Sequence, residues 1–460
     1  VSFLEELEES QVSRKDRTIL VGVALDHPTH SIGETSKSFL ELWDIQENLN
    51  ELEQLVNTLG GEVVDRMIQK RSTIHPGTYV GSGKVEEIKK LADEKNATSI
   101  IFDDNLTPTQ VQNLEKVIQR KIMDRAGLIL DIFSRNAKTR EAKTQVEIAK
   151  LKYILPRLAG MWSHLEAEKQ RGSGSGMMGM GEKQIESDKR MIKSRIQQLE
   201  KKLLQIRKER EVQRSKREEI LKVALVGYTN AGKSTLLNLL TDSDVQAEDK
   251  LFATLDSSVR TLTPTSRPKI LLIDTVGFIK KLPPDLVASF RSTLEEVQEA
   301  DMILHVVDVS HPKVKEQIKT TEKVLEELGC QEKPGFLVLN KSDQLDEPFM
   351  ARITAKSYEE VYENTVITSS DRKESIVQLR DRILNFFYDQ LESWEIMIPY
   401  DEPEVSAKIH EFCHIEKKTF FEKGTFFKLK TTRHFSGLLH LDKYRLDSSE
   451  FEKEQEDEFS

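Results

Sequence analysis

The sequence predicts an α/β fold, and three of its features carry that prediction. The apolar runs LKVALVG, KILLIDTVG, MILHVVDVS and PGFLVLNKSD are separated by helical sequence of crossover length, as a largely parallel sheet requires. Between the first two lies GYTNAGKSTLLNLL (227–240), a glycine-rich turn running into a leucine-rich helix. Upstream, the strand-like runs TILVGVAL (18–25) and ATSIIF (97–102) alternate with helical patterns over 47–59 and 84–94.

At 460 residues the chain is too long for one core and predicts several domains. The boundaries suggested by pattern are an α/β domain over 1–160, a glycine-rich loop with a charged helical connector over 161–219, and the strand-rich central domain over 220–395. A small α+β domain over 396–446 and an acidic tail over 447–460 complete the expected order. Charged residues make up 32% and apolar residues 37%, with no apolar run long enough to span a bilayer, so no stable membrane insertion is expected. Cys330 and Cys413 are too few for a disulfide framework, and the N-terminus lacks a secretory signal; both point to a cytoplasmic protein with buried free thiols. A net charge of −10 disfavours a general nucleic-acid coat while leaving local basic surfaces open.

Along the first domain, Thr107 before Pro108 reads as a helix cap and first-turn proline. GTYVGSGKVEEI imitates a phosphate loop at Gly81, Gly83 and Lys84, but Thr78 and Val85 stand where a glycine and a magnesium-binding hydroxyl belong; a structural turn is the reading, and ATP chemistry there is disfavoured. TREAKTQVEIAKLKYILPRLA (139–159) predicts a helix, and Arg135, Lys138, Arg140, Lys143 and Lys150 face either RNA phosphate or solvent. RGSGSGMMGMGEK then predicts a mobile or specially shaped loop. Beyond it, Ile185, Ile192, Ile196, Leu199, Leu203 and Ile206 recur as the apolar seam of a long helix, either self-paired as a helical hairpin or packed on a neighbouring domain, with a basic exterior that faces RNA or solvent. Near the C-terminus, TFFEKGTFFKLK predicts strands joined at Gly424, and Asp447–Ser460 a solvated tail.

The central domain carries the chemistry. Gly227, Gly232, Lys233 and Ser234 complete a phosphate loop, with Asn230, Ala231 and Thr235 inside or beside it. Its backbone N–H groups turn toward phosphate, Lys233 reaches the β and γ oxygens, and Ser234 binds Mg2+. Asp274 in DTVG holds the metal through water, and the Gly277 N–H senses the γ-phosphate. In NKSD, Asp343 accepts two hydrogen bonds that guanine offers and adenine does not, so GTP is selected. Asn340 braces the loops, the Lys341 stem covers the base, and Ser369 and Ser370 of TSS sit where a further guanine loop belongs. Thr254 in LFATLDSSVR is the expected metal ligand of the first switch, with Ser257 and Ser258 as neighbouring hydroxyls. Catalysis is accordingly assigned to Lys233, Thr254 and Gly277. Phe278 follows Gly277 and cannot orient water, which predicts slow intrinsic turnover. His305 reads as a satisfied core or edge histidine, and Asp301 and Asp308 as strand-end groups.

In order, YVGSGK, TREAKTQVEIAKLKYILPRL, GEKQIESDKR, GYTNAGKSTLLN, FATLD, DTVGF and NKSD resemble the HflX-type GTPases over most of the first 345 residues. The resemblance implies a Ras-like GTPase domain behind the N-terminal α/β domain. It also implies GTP-dependent binding to the large ribosomal subunit and its rRNA, association with the 70S ribosome, splitting or rescue of stalled ribosomes, and hydrolysis stimulated by the large subunit. An assembly or RNA-binding module without splitting activity is the alternative, and a monomer is expected. Two departures stand out: RGSGSGMMGMGEK replaces a compact RGPGE around Arg171, Gly181 and Glu182, and FATLDSSVR lacks the proline and threonines common after the aspartate.

Overall fold

The computed structural model describes residues 16–25, 34–158, 178–214, 220–242, 251–252, 258–263, 266–281, 291–345, 356–362 and 364–445. Thr254, Ser257, Arg171, most of the glycine-rich stretch and the acidic tail lie outside them. The chain forms two compact units: residues up to Glu211 with Glu248–Asp256 and Ile279–Ser292, and the remainder.

The first unit is built on a four-stranded parallel sheet, ordered β2-β1-β3-β4. Its strands are β1 (Arg17–Leu25), β2 (Glu62–Arg71), β3 (Ser99–Phe102) and β4 (Lys121–Asp124). The helices Glu34–Leu59, Ser82–Glu94 and Pro108–Ile118 make the crossovers that parallel pairing demands. The last of them opens on a capping box: Thr107 accepts from Gln110 N, and Gln110 accepts in return from Thr107 N. YVGSGK runs from the bridge residue Tyr79 into the first turn of the Ser82–Glu94 helix, where Gly81 is the N-cap and Lys84 pairs with Glu87.

Asp124 ties this unit together. It is fully buried, and its two oxygens accept from Gly127 N at 2.9 Å, Tyr153 Oη at 2.7 Å, Leu106 N at 3.1 Å and Arg157 Nη2 at 3.0 Å. These donors come from four parts of the chain, so one carboxylate fixes β4 to the helix that follows it and to Arg140–Ile154.

The long basic helix spans Met178–Arg214. Its seam is real: Ile192, Ile196 and Leu199 bury against Ile148, Leu151, Ile154 and Leu158 of the Arg140–Ile154 helix and its 3-10 extension. Each such aliphatic side chain contributes about 1.5–3 kcal/mol on burial. Of the basic residues near this region, Arg135 donates to Leu59 O and Lys150 lies 3.9 Å from Asp131, so these two engage protein rather than face outward alone.

The second unit holds a six-stranded sheet, ordered β10-β9-β8-β5-β7-β6, with only β6 antiparallel. Its strands are β5 (Leu221–Val226), β6 (Ser258–Thr261), β7 (Ile270–Asp274), β8 (Met302–Asp308), β9 (Gly335–Asn340) and β10 (Thr365–Ile367). Val223, Leu225, Leu272, Leu304 and Val306 bury on one face and Ala224, Val226 and Ile303 on the other, giving strands apolar on both sides. The sheet order reverses around β5, which places a crevice at the C-terminal ends of the parallel strands. A smaller antiparallel sheet, β11-β13-β12, follows, with β11 at Glu392–Pro399; β12 (His414–Phe421) and β13 (Gly424–Thr431) form the hairpin expected at Gly424. Cys330 and Cys413 are buried free thiols.

Replacing Asp124 by Asn leaves the Arg157 charge without its buried partner and is expected to cost about 3–5 kcal/mol. Native-state hydrogen exchange of the β3 and β4 amides reads this directly, while exchange in β5 and β8 should be unchanged.

Candidate nucleotide-binding site

Every loop of the candidate site leaves the C-terminal end of a parallel strand. β5 runs into the turn from Gly227 to Gly232, and Lys233 opens the helix Lys233–Thr241. Gly232 sits at φ +90°, and a Cβ there would lie 2.3 Å from Asn340 Nδ2, so only glycine fits. Ala231 is buried, Asn230 takes a left-handed backbone, and Ser234 and Thr235 lie in the first helical turn, where free N–H groups and the helix dipole favour an anion.

Lys233 is buried and its Nζ donates to Tyr228 O at 2.8 Å and Gly227 O at 3.2 Å. Burial pushes its ammonium down to about 8, partly offset by the nearby Asp274 carboxylate. Ser234 Oγ donates to Asp274 Oδ2 at 2.7 Å, bringing together two hard oxygen donors from β7 and the phosphate-loop helix. Ser258 lies on β6, paired in register with Asp274.

The DTVG segment lies against the phosphate loop. Phe278 N donates to Gly227 O at 3.1 Å and Thr229 N donates to Phe278 O at 2.8 Å. A Cβ on Gly277 would lie 2.9 Å from Lys233 Nζ, so the main chain there approaches the lysine as no other residue could. The Phe278 ring turns away into the core with Ala224, Val226, Val297 and Ala300.

At the end of β9, Asn340 is buried; its Nδ2 donates to Ala231 O at 2.9 Å and its Oδ1 accepts from Thr368 Oγ1 at 3.1 Å. Ser369 Oγ donates to Asp343 Oδ1 at 2.6 Å and itself accepts from Asp371 N, which fixes the Asp343 carboxylate from one side. Lys341 adopts φ +58° and pairs with Asp308 at 2.9 Å, while Ser370 is exposed. The structure thus brings together the predicted residues of the phosphate loop, DTVG, NKSD and TSS.

Sequence reasoning missed Thr368, whose hydroxyl anchors Asn340 and whose only signal was its place before Ser369. It also missed Asp308 as the partner of Lys341. One expectation needs correcting. His305 is buried, yet its Nε2 has no hydrogen-bond partner among the described residues, so it is not a satisfied core histidine. Burial and the Lys233 charge push it down to about 4, which keeps the ring neutral. Asp301 accepts from Lys222 N and Asp308 from Ser310 N, as strand-end groups do.

Three family models match the chain: GTP-binding GTPase N-terminal over residues 46–134, GTP-binding GTPase Middle Region over 136–217, and 50S ribosome-binding GTPase over 222–341. A protein of Flavobacterium psychrophilum named GTPase HflX is 47% identical over 73% of this chain and 77% of its own length. Another of that name, from Caldanaerobacter subterraneus subsp. tengcongensis, is 42% identical over 84% of this chain and 88% of its own. Among solved structures, a GTP-binding protein from Sulfolobus solfataricus in complex with GDP is 24% identical with a TM-score of 0.43, covering 80% of this chain and 99% of that one.

The depressed Lys233 gives a signed pH dependence. A lysine that must be protonated to hold phosphate loses affinity as pH rises through its ligand-free value of about 8. Titration calorimetry with GDP in metal-free buffer should show binding about tenfold weaker at pH 9 than at pH 7. Lys233→Ala should bind weakly with a flat profile over that range.

Proposed function

The chain belongs to the HflX-type GTPase family, and from that premise we propose that it binds the large ribosomal subunit while loaded with GTP and splits or rescues stalled ribosomes. It is a GTP-hydrolysing, ribosome-associated factor; the splitting step, the large subunit and its rRNA as the docking surface, and engagement of the 70S ribosome are the further reading. A monomeric cytoplasmic protein suits that task. So does a division into an N-terminal domain over 1–160, a connector over 161–219, a GTPase domain over 220–395, a C-terminal domain over 396–446 and the tail.

One observation carries the reading: the Asp343 carboxylate is held by Ser369 while Asn340 ties the same loop to the phosphate loop. A carboxylate fixed in that way accepts from guanine N1–H and the exocyclic amine, and adenine leaves the charge unsatisfied. Ser370 and the Lys341 stem border the base. Gly227, Asn230, Ala231, Gly232 and Thr235 contribute main-chain or first-turn donors to the phosphates, and Lys233 neutralises the β and γ oxygens.

Ser234 and Asp274 form a donor set of hard oxygens that fits Mg2+, which keeps several waters and needs few protein ligands. Thr254 would add a third oxygen donor. Once bound, the ion offsets charge on the phosphate oxygens. Within the chain, Gly277 N–H meets the γ-phosphate and ties the switch to its presence. No side chain at position 278 orients the attacking water, because the Phe278 ring is committed to the core. Turnover is therefore slow until a reordered switch or ribosomal RNA completes the site. Binding energy of the GTP state, rather than hydrolysis, competes with the intersubunit contact; hydrolysis then releases the factor.

Mixing the protein with 70S ribosomes and following light scattering tests this. Splitting should proceed with a non-hydrolysable GTP analogue and fail with GDP. Intact ribosomes under both conditions, with selective binding to immature large subunits, would instead establish the assembly module.

A further inference from the structure

The nucleotide motifs leave one charged network at the base end of the site without a role. Asp308 closes β8, and its side chain is only 14% exposed. One of its oxygens pairs with Lys341 Nζ at 2.9 Å. The other accepts from Ser310 N at 3.0 Å and from Ser310 Oγ at 2.5 Å, so the carboxylate that meets the lysine is held by its own loop. The Ser310 hydroxyl also lies 3.1 Å from the side-chain amide of Gln344. A hydroxyl donates once and accepts on two lone pairs, so this one serves both neighbours.

These contacts fall at the two ends of one short segment. Lys341 precedes the 3-10 turn Ser342–Gln344, and Gln344 ends it. Asp343, the side chain read as the guanine contact, lies between them. Lys341 holds a left-handed backbone at φ +58°, which a non-glycine residue keeps only where its surroundings impose it. Gln344 N closes the turn by donating to Lys341 O at 3.1 Å, and Val309 N fixes the loop after β8 to the end of β9 by donating to Asn340 O at 3.0 Å. From the loop after β10, Ser369 Oγ donates to Asp343 at 2.6 Å, and Ser342 Oγ donates to Thr368 O at 3.0 Å. The turn that carries Asp343 is therefore held by two loops, and the loop after β8 holds both its ends.

A carboxylate that tells bases apart by two hydrogen bonds needs a fixed angle and reach, because one free to swing satisfies itself in solvent. The aliphatic stem of Lys341 has the same need, since its ammonium decides where the stem lies. We propose that Asp308 and Ser310 are positioning residues for base recognition: they clamp the Lys341–Gln344 turn at both ends and set the pose in which Lys341 and Asp343 meet the guanine ring. They act through that turn rather than on the nucleotide itself. The inference rests on the reading of Asp343 as the guanine contact, and it gives a part in selectivity to two residues outside NKSD and TSS. Because the clamp lies at the base end, it bears on affinity and selectivity and leaves the phosphate chemistry alone.

The test is equilibrium binding of GDP, ADP and XDP by the full-length protein, with steady-state GTP hydrolysis measured alongside. Asp308→Asn keeps an acceptor for Ser310 and removes the charge that holds Lys341. It is expected to weaken GDP binding about five- to twentyfold, the scale of one hydrogen bond to a charged group. The preference for GDP over ADP should narrow, and KM should rise with kcat at saturating GTP nearly unchanged. Ser310→Ala should act in the same direction by about two- to fivefold, through loss of the Gln344 contact. In Lys341→Met, adding Asp308→Asn should cost nothing further, because the lysine it holds is gone. Unchanged GDP affinity in Asp308→Asn and Ser310→Ala, additive losses in the double variant, or a fall in kcat that matches the loss of affinity overturns the proposal. Asp343→Asn separates the two readings: its amide donates where xanthine carries a carbonyl, so the variant should exchange GDP for XDP. If it binds both nucleotides as the intact protein does, the assignment of Asp343 fails; if the exchange occurs while Asp308→Asn and Ser310→Ala bind GDP normally, the clamp alone fails.

Discussion

The side-chain amide of Asn340 is the contact on which the nucleotide site depends. Its nitrogen donates to Ala231 O in the phosphate loop, and its oxygen accepts from Thr368 in the loop after β10. Loops leaving β5, β9 and β10 are thereby joined by one buried group. Without it, Ala231 O and the Thr368 hydroxyl would be left buried and unpaired, at about 1–3 kcal/mol each. Gly232 is glycine for the same reason, since a methyl group there would displace the Asn340 nitrogen.

Around this contact the site is arranged by charge. Lys233 is buried with its ammonium turned onto two main-chain carbonyls, and burial holds its proton less firmly than solvent would. Ser234 and Asp274 bond each other where a hard cation fits. On the side proposed for guanine, Ser369 holds Asp343 and Asp308 holds Lys341, so both ends are preorganised before nucleotide arrives.

Much of this was legible in the sequence because each motif of the site is local in the chain. GYTNAGKS, DTVG and NKSD each combine a strand end with a turn, and their chemistry follows from residue type and spacing. The strands that read clearly, such as β5 and β8, are apolar on both faces. By contrast β2, EVVDRMIQKR, is a half-buried edge strand with five charged residues and no clean alternation, and it gave no signal. Thr368 looked like one hydroxyl among three in TSS; only the fold shows that its hydroxyl meets Asn340. His305 stood in an apolar run that promised a satisfied ring, and side-chain satisfaction is not encoded in periodicity.

The central claim is that this guanine-nucleotide site is coupled to the large ribosomal subunit. GTP turnover measured with and without purified large subunits, for the intact protein and for Lys233→Ala, tests it most directly. Strong stimulation by the subunit, absent in the variant and not reproduced with ATP, is the predicted result. Turnover that is unchanged by large subunits, in a protein that still binds GTP, would contradict it.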